Sequence, residues 1–215
     1  MIELLVVIAI LAILMALIFP SLRRAIEQGR LVKCQANLHQ LSLAQLIYVE
    51  DYGVFAPHRH WVEGYWDDPT LNGLRAGLLY PYLTTTDAYY CPTFALVCGK
   101  STTTRSYVMN WNVAGYSWDW NSQAIWKPQQ AKNPAGLALF SEENTWTVPG
   151  YSQFTINDGT LVAPDWPWRD TLATYHLSLD YNSPPLYDGY ANVVFLDGHV
   201  EVCFTDKTLE VMLDE

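Results

Sequence analysis

Before Pro20 the chain has no lysine, arginine, glycine or proline, and no aromatic residue except Phe19. A secretory signal peptide needs a basic start, an apolar stretch of roughly 7 to 15 residues and a small-residue cleavage site. The basic start and the cleavage site are missing here, so the run is read as a membrane span. Its sequence, ELLVVIAILAILMALIF, holds one charge, Glu3. As a helix, Met1 to Phe19 would be about 28 Å long, close to the hydrocarbon thickness of a bilayer.

Positive charge is scarce as well. Of 12 basic and 22 acidic residues, four of each lie within residues 1–52, so the entire net charge of −10 belongs to the remainder. So acidic a surface repels phosphate backbones, which excludes direct nucleic-acid contact by that part. Tryptophan is absent from residues 1–52, and all nine (61, 66, 111, 118, 120, 126, 146, 166 and 168) follow them. No internal repeat, serine nucleophile elbow, phosphate loop, zinc-helix motif or EF-hand spacing occurs. The expectation is therefore a protein that is not an enzyme. Cysteine is limited to Cys34, Cys91, Cys98 and Cys203, an even number that allows three connectivities in an oxidising compartment. A short loop containing Pro92 favours Cys91 with Cys98.

What is present is a helix that continues past Pro20. Ser21 to Asp51 has only Gly29 as a weak point, and Leu31, Cys34, Leu38, Leu41, Ala44 and Tyr48 recur at three- and four-residue spacing. Arg24, Arg30, Lys33 and Gln40 lie off that stripe. Pro20 is expected to kink the helix, since it removes one ladder donor and crowds the preceding turn. Gly53 should end it. Beyond, eleven prolines leave short β and loop segments. The clearest strands are Leu137–Ser141, Ala191–Leu196 and His199–Phe204, the last two flanking the hairpin signal Asp197-Gly198. Half of the residues are hydrophobic, enough for a packed core. The expected fold is α+β: a membrane or filament-core segment (1–20), an amphipathic helix (21–52) lying on the head, and a head (53–215) with an antiparallel sheet and long aromatic-rich loops.

The stretch IELLVVIAILAILMALIFPSL, with a carboxylate near its start, a proline seventeen residues later and basic residues just after, resembles the N-terminal segment of type IV pilins and type II secretion pseudopilins. In that family the carboxylate and proline are the fifth and twenty-second mature residues, a spacing that Glu3 and Pro20 reproduce. The resemblance implies a homo-oligomeric helical filament in which Glu3 neutralises a neighbouring subunit's N-terminal amine. It implies inner-membrane residence before assembly, a periplasmic or cell-surface filament afterwards, and service by a prepilin peptidase and an assembly machinery. Family members begin with a short basic leader that the peptidase removes before methylating the new N-terminus. Arg23 and Arg24 alone would hold the head in the cytoplasm, and such a leader, expected ahead of residue 1, would oppose that orientation. A second likeness runs through CQANLHQLSLAQLIYVEDYGVFAP, YYCP, SYVMN and ANVVFLDGHVE, which are similar to prepilin-like proteins with a terminal Asp-Gly hairpin. There a histidine stands ten positions before the Asp-Gly pair. Tyr187 occupies that position here.

Other residues offer chemistry of their own. His58, His60, His176 and His199 offer imidazoles for a metal. Asp158, Asp165, Asp170, Asp180, Asp188 and Asp197 offer oxygens for calcium, with Asp188 and Asp197 as the candidate ligands. Glu142 and Glu143 are adjacent carboxylates, but adjacency on a strand sends them to opposite faces. Trp111, Trp118, Trp120, Trp166 and Trp168 either pack over the core or stack on sugar rings or protein partners. The alternative to a filament subunit is thus a membrane-tethered carbohydrate-binding or adhesive module.

Overall fold

A computed structural model of the chain describes residues 2–58, 60–62, 71–83, 85–97, 104–114, 124–144, 160–161, 171–177 and 189–212. The element that organises it is α1, Ile2–Tyr52, a helix of 51 residues. It continues through Pro20, whose missing N–H leaves the Ala16 carbonyl without a ladder donor. One residue on, the Ser21 hydroxyl donates to the Ile18 carbonyl at 2.7 Å. The helix stops at Gly53, which takes φ +73° and donates its N–H to the Val49 carbonyl at 2.7 Å, a left-handed C-terminal cap suited to glycine.

Every residue from Ile2 to Ile26 is exposed. At the standard rise this protruding part is roughly 37 Å long. From Glu27 onward one face is buried, and it carries the whole stripe Leu31, Cys34, Leu38, Leu41, Ala44 and Tyr48. Four polar residues join that face: Glu27, Asn37, Ser42 and Gln45. Two of them hold head loops through their side-chain amides. Asn37 Nδ2 donates to the Tyr90 carbonyl at 2.9 Å, and Gln45 Nε2 to the Ala56 carbonyl at 3.2 Å.

The head is α+β. Short helices α2 (Leu71–Ala76), α3 (Tyr80–Leu83) and α4 (Pro92–Val97) precede β1 (Tyr107–Asn110), β2 (Ala138–Glu142), β3 (Thr160–Leu161), β4 (Tyr190–Phe195) and β5 (Val200–Phe204), and α5 (Thr208–Met212) follows. The sheet order is β3-β1-β2-β4-β5. β1, β2, β4 and β5 pair antiparallel, while the two-residue β3 lies parallel to β1 on the edge. The docked half of α1 packs chiefly on the central strand β4, with α4 and α3 on its flanks.

The three strands expected from the sequence are present with boundaries moved by one residue. The Asp197-Gly198 hairpin forms as expected: Gly198 adopts φ +92° and its N–H meets the Phe195 carbonyl at 2.9 Å. Trp61, stacked on Tyr89 at 5.8 Å and edge-on to Phe140 at 5.1 Å, is fully buried in the core beneath.

The cysteine pairing expected from the sequence is wrong for Cys91. Cys91 is bonded to Cys34 of α1, with their Cα atoms 5.2 Å apart. Short sequence separation favoured Cys98, but the helix brings Cys34 against the start of α4, and spatial approach decides which disulfide forms. Cys98 lies outside the described residues, and Cys203 is buried on β5.

Candidate buried polar site

Where α1 crosses the sheet, a cluster of polar side chains is enclosed. Glu27 and Cys34 are seven residues apart, two helical turns, so both point from α1 to the same side. Cys91 arrives from the start of α4, its backbone N–H held by Ser106 Oγ at 2.6 Å. Glu142 ends β2. His176 forms an antiparallel bridge to Tyr190, the first residue of β4. All five are buried.

His176 is the hub. Its Nε2 lies 2.8 Å from Glu142 Oε1 and 3.4 Å from Cys91 Sγ, and its Nδ1 lies 3.5 Å from Glu27 Oε1. The second oxygen of Glu142 is occupied separately, accepting from the backbone N–H of Asn192 at 2.7 Å and from its side-chain amide at 3.3 Å. Glu27 also accepts from the Thr93 hydroxyl at 3.4 Å, and its Oε2 lies 3.7 Å from Arg30.

Burial alone would lower the pKa of His176. The facing carboxylates reverse this, Glu142 first and then Glu27, and the ring is pushed up to about 9. Near neutral pH an imidazolium therefore sits between two carboxylates, and with Arg30 the charges balance. Such a pair is tolerated in a dry interior because each charge is matched and hydrogen-bonded. Beside it, burial drives the Tyr107 hydroxyl well above its ordinary range. That hydroxyl contacts Asn37 Nδ2 at 3.4 Å.

The residues singled out from the sequence are only partly gathered here. Glu3 and Pro20 are exposed on the protruding helix, far along α1 from the cluster. Trp111 is half-buried, its ring tilted against His58 at 5.0 Å. Trp118, Trp120, Trp166, Trp168 and Asp188 lie outside the described residues. Asp197 belongs to the hairpin turn, where Oδ1 lies 2.6 Å from Nδ1 of His199 and accepts the His199 backbone N–H at 3.1 Å. Among the described residues the one cluster of potential metal ligands contains His176 and none of the other candidate histidines: His58 is at Trp111, His60 is in the turn after Pro57, and His199 is on the hairpin turn.

Glu27 went unremarked in the sequence, although it lies four residues before Leu31 and seven before Cys34. A carboxylate in register with an apolar stripe was the available signal. Sequence adjacency sets Glu142 beside Glu143, whereas its hydrogen-bond partners Asn192 and His176 come from β4 and from the segment before it. Position 187 lies outside the described residues, and the buried histidine here, His176, is bridged to Tyr190 at the start of β4. No family model, no curated protein and no solved structure matches this chain.

Proposed function

We propose that this chain is a pilin-like structural subunit that assembles into a filament through the protruding half of α1. One observation carries the reading: an unbroken helix whose first part is apolar and wholly exposed, and whose second part is docked on an acidic α+β head. That first part is long and apolar enough to cross a membrane. Its surface needs lipid or the equivalent helices of other copies, and a filament core supplies the second once the subunit leaves the first. Glu3 is the sole ionisable side chain between Ile2 and Phe19. A carboxylate in such an environment costs on the order of 3 kcal/mol by insertion scales unless paired, so it fixes helix register wherever it meets a cation.

In this reading the subunit resides in the inner membrane and then on the periplasmic or cell-surface side, where the Cys34–Cys91 disulfide is at home. The test is negative-stain imaging of material sheared from the native cells, with the wild-type chain replaced by Glu3→Ala. Wild-type filaments carrying this subunit, and their loss in the variant while the head stays folded and disulfide-bonded, support the proposal. Filaments unchanged by Glu3→Ala, or a wild-type chain found solely as membrane-held monomers, overturn it.

A further inference from the structure

Cys34, Cys91, Glu142 and His176 each offer one donor atom, all four within 4.8 Å of one another, and all four residues are buried. We propose that the reduced head is a metal-binding protein, holding one zinc-class divalent ion through Cys34 Sγ, Cys91 Sγ, His176 Nε2 and Glu142 Oε1. The ion and the Cys34–Cys91 disulfide are then alternative ways of fastening α1 to the head. This site is independent of the filament reading, and either can fail without the other.

The donor set selects the ion. Two thiolates and an imidazole suit zinc or a similar borderline-soft cation, whereas calcium and magnesium take oxygen alone. Tetrahedral zinc, with bonds of about 2.3 Å to sulfur and about 2.0 Å to nitrogen and oxygen, sets its ligand atoms roughly 3.3 to 3.8 Å apart. The observed 3.4 Å from Cys91 Sγ to His176 Nε2 and 2.8 Å from Nε2 to Glu142 Oε1 already approach that spacing. In the disulfide form, His176 Nε2 and Glu142 Oε1 face each other directly at 2.8 Å, and the ion would stand between them.

The surroundings carry the features of a supported metal site. Ligating histidines usually present their other ring nitrogen to a carboxylate, and here Glu27 faces Nδ1. Asn192 holds Glu142 by Oε2 and leaves Oε1 for the ion. Ser106 holds the Cys91 backbone. A plain disulfide staple requires neither the histidine nor either glutamate.

The two states interconvert by thiol–disulfide exchange with a disulfide oxidant. The two electrons of the Cys34 and Cys91 thiolates reduce the oxidant's S–S bond, and the new S–S bond forms between them. The ion leaves as the divalent cation. Three protons are taken up from solvent, two by the oxidant's thiolates and one by His176 Nε2. Because both sulfurs are buried, the choice is made as the head folds.

The test uses the full chain in detergent, refolded under a phosphine reductant with cobalt(II) as the spectroscopic probe. One cobalt per chain is expected, with thiolate charge-transfer absorption and the visible bands of tetrahedral cobalt, both erased by zinc. The disulfide-bonded chain should take up none, and Cys203→Ser should behave as the wild type. Glu27→Gln keeps all four ligands and should weaken affinity about 10- to 100-fold. A reduced chain that binds no cobalt, or stays unfolded with cobalt present, overturns the proposal. So does undiminished binding in the Cys34→Ser/Cys91→Ser double variant, or a Glu27→Gln affinity equal to that of the wild type.

Discussion

The two parts of α1 share one backbone and obey different rules. From Ile2 to Ile26 every residue is exposed, and up to Phe19 the composition is apolar on all sides apart from Glu3 because every direction faces the same environment. From Glu27 to Tyr52 it has an inside and an outside, and its inner face mixes leucines with Glu27, Asn37, Ser42 and Gln45. The contrast shows that apolarity alone suffices for a helix that has only to be solvated or bundled. A helix that must sit in one place on a sheet also needs directional contacts, and the buried polar groups provide them.

The contrast can be broken most forcefully at the cluster. Glu142→Ala leaves His176 beside Glu27 alone and two Asn192 donors unmet, and should lower the head's unfolding free energy by about 3 to 5 kcal/mol in denaturant titrations of the detergent-solubilised chain. Replacing Cys34 and Cys91 together by Ala opens a link of sequence separation 57 and should cost about 4 kcal/mol on the chain-entropy account. Cys203→Ala, which leaves the Cys34–Cys91 link in place, serves as its control.

Next comes a direct comparison of the two halves. Leu38→Ala, at a fully buried position, should destabilise the head by about 2 to 5 kcal/mol, while Leu11→Ala on the protruding part should leave head unfolding unchanged. A Leu11→Ala effect of similar size would mean that the two parts are not energetically separate.

The pH dependence is a finer probe. The folded pKa of His176, about 9, lies above its ordinary 6.5, so the folded head holds a proton that the unfolded chain releases. The stabilisation is complete below about pH 6.5 and is lost as pH rises through about 9. Denaturation midpoints of the disulfide-bonded chain should fall across that window, and the fall should shrink in His176→Gln. The smallest effect is expected at the hairpin, where Gly198→Ala must place a Cβ at φ +92° and should cost about 1 kcal/mol.

The sequence made the fold legible wherever a periodic pattern was long or a turn was chemically specific. The stripe from Leu31 to Tyr48 and the Asp197-Gly198 turn are of that kind, since each is decided within a few residues. The candidate site was not legible, because its members are brought together by packing. Glu27 and Glu142 are 115 positions apart in the chain. Nothing local to His176 announces that it will lie between them. The Cys91–Cys98 expectation failed for the same reason: the competing partner arrived from a helix whose docking geometry is set by β4.

The Cys34–Cys91 bond also has a mechanical meaning. Whatever holds the apolar part of α1, a pull on the head is delivered to the helix at residue 34 through a covalent link, only fourteen residues beyond Pro20. The packed face from Leu38 to Tyr48 is then shielded from peeling, since the load path leaves the helix before reaching it. A head fastened at that point would yield by stretching its loops or unravelling the sheet, with its grip on the anchor intact.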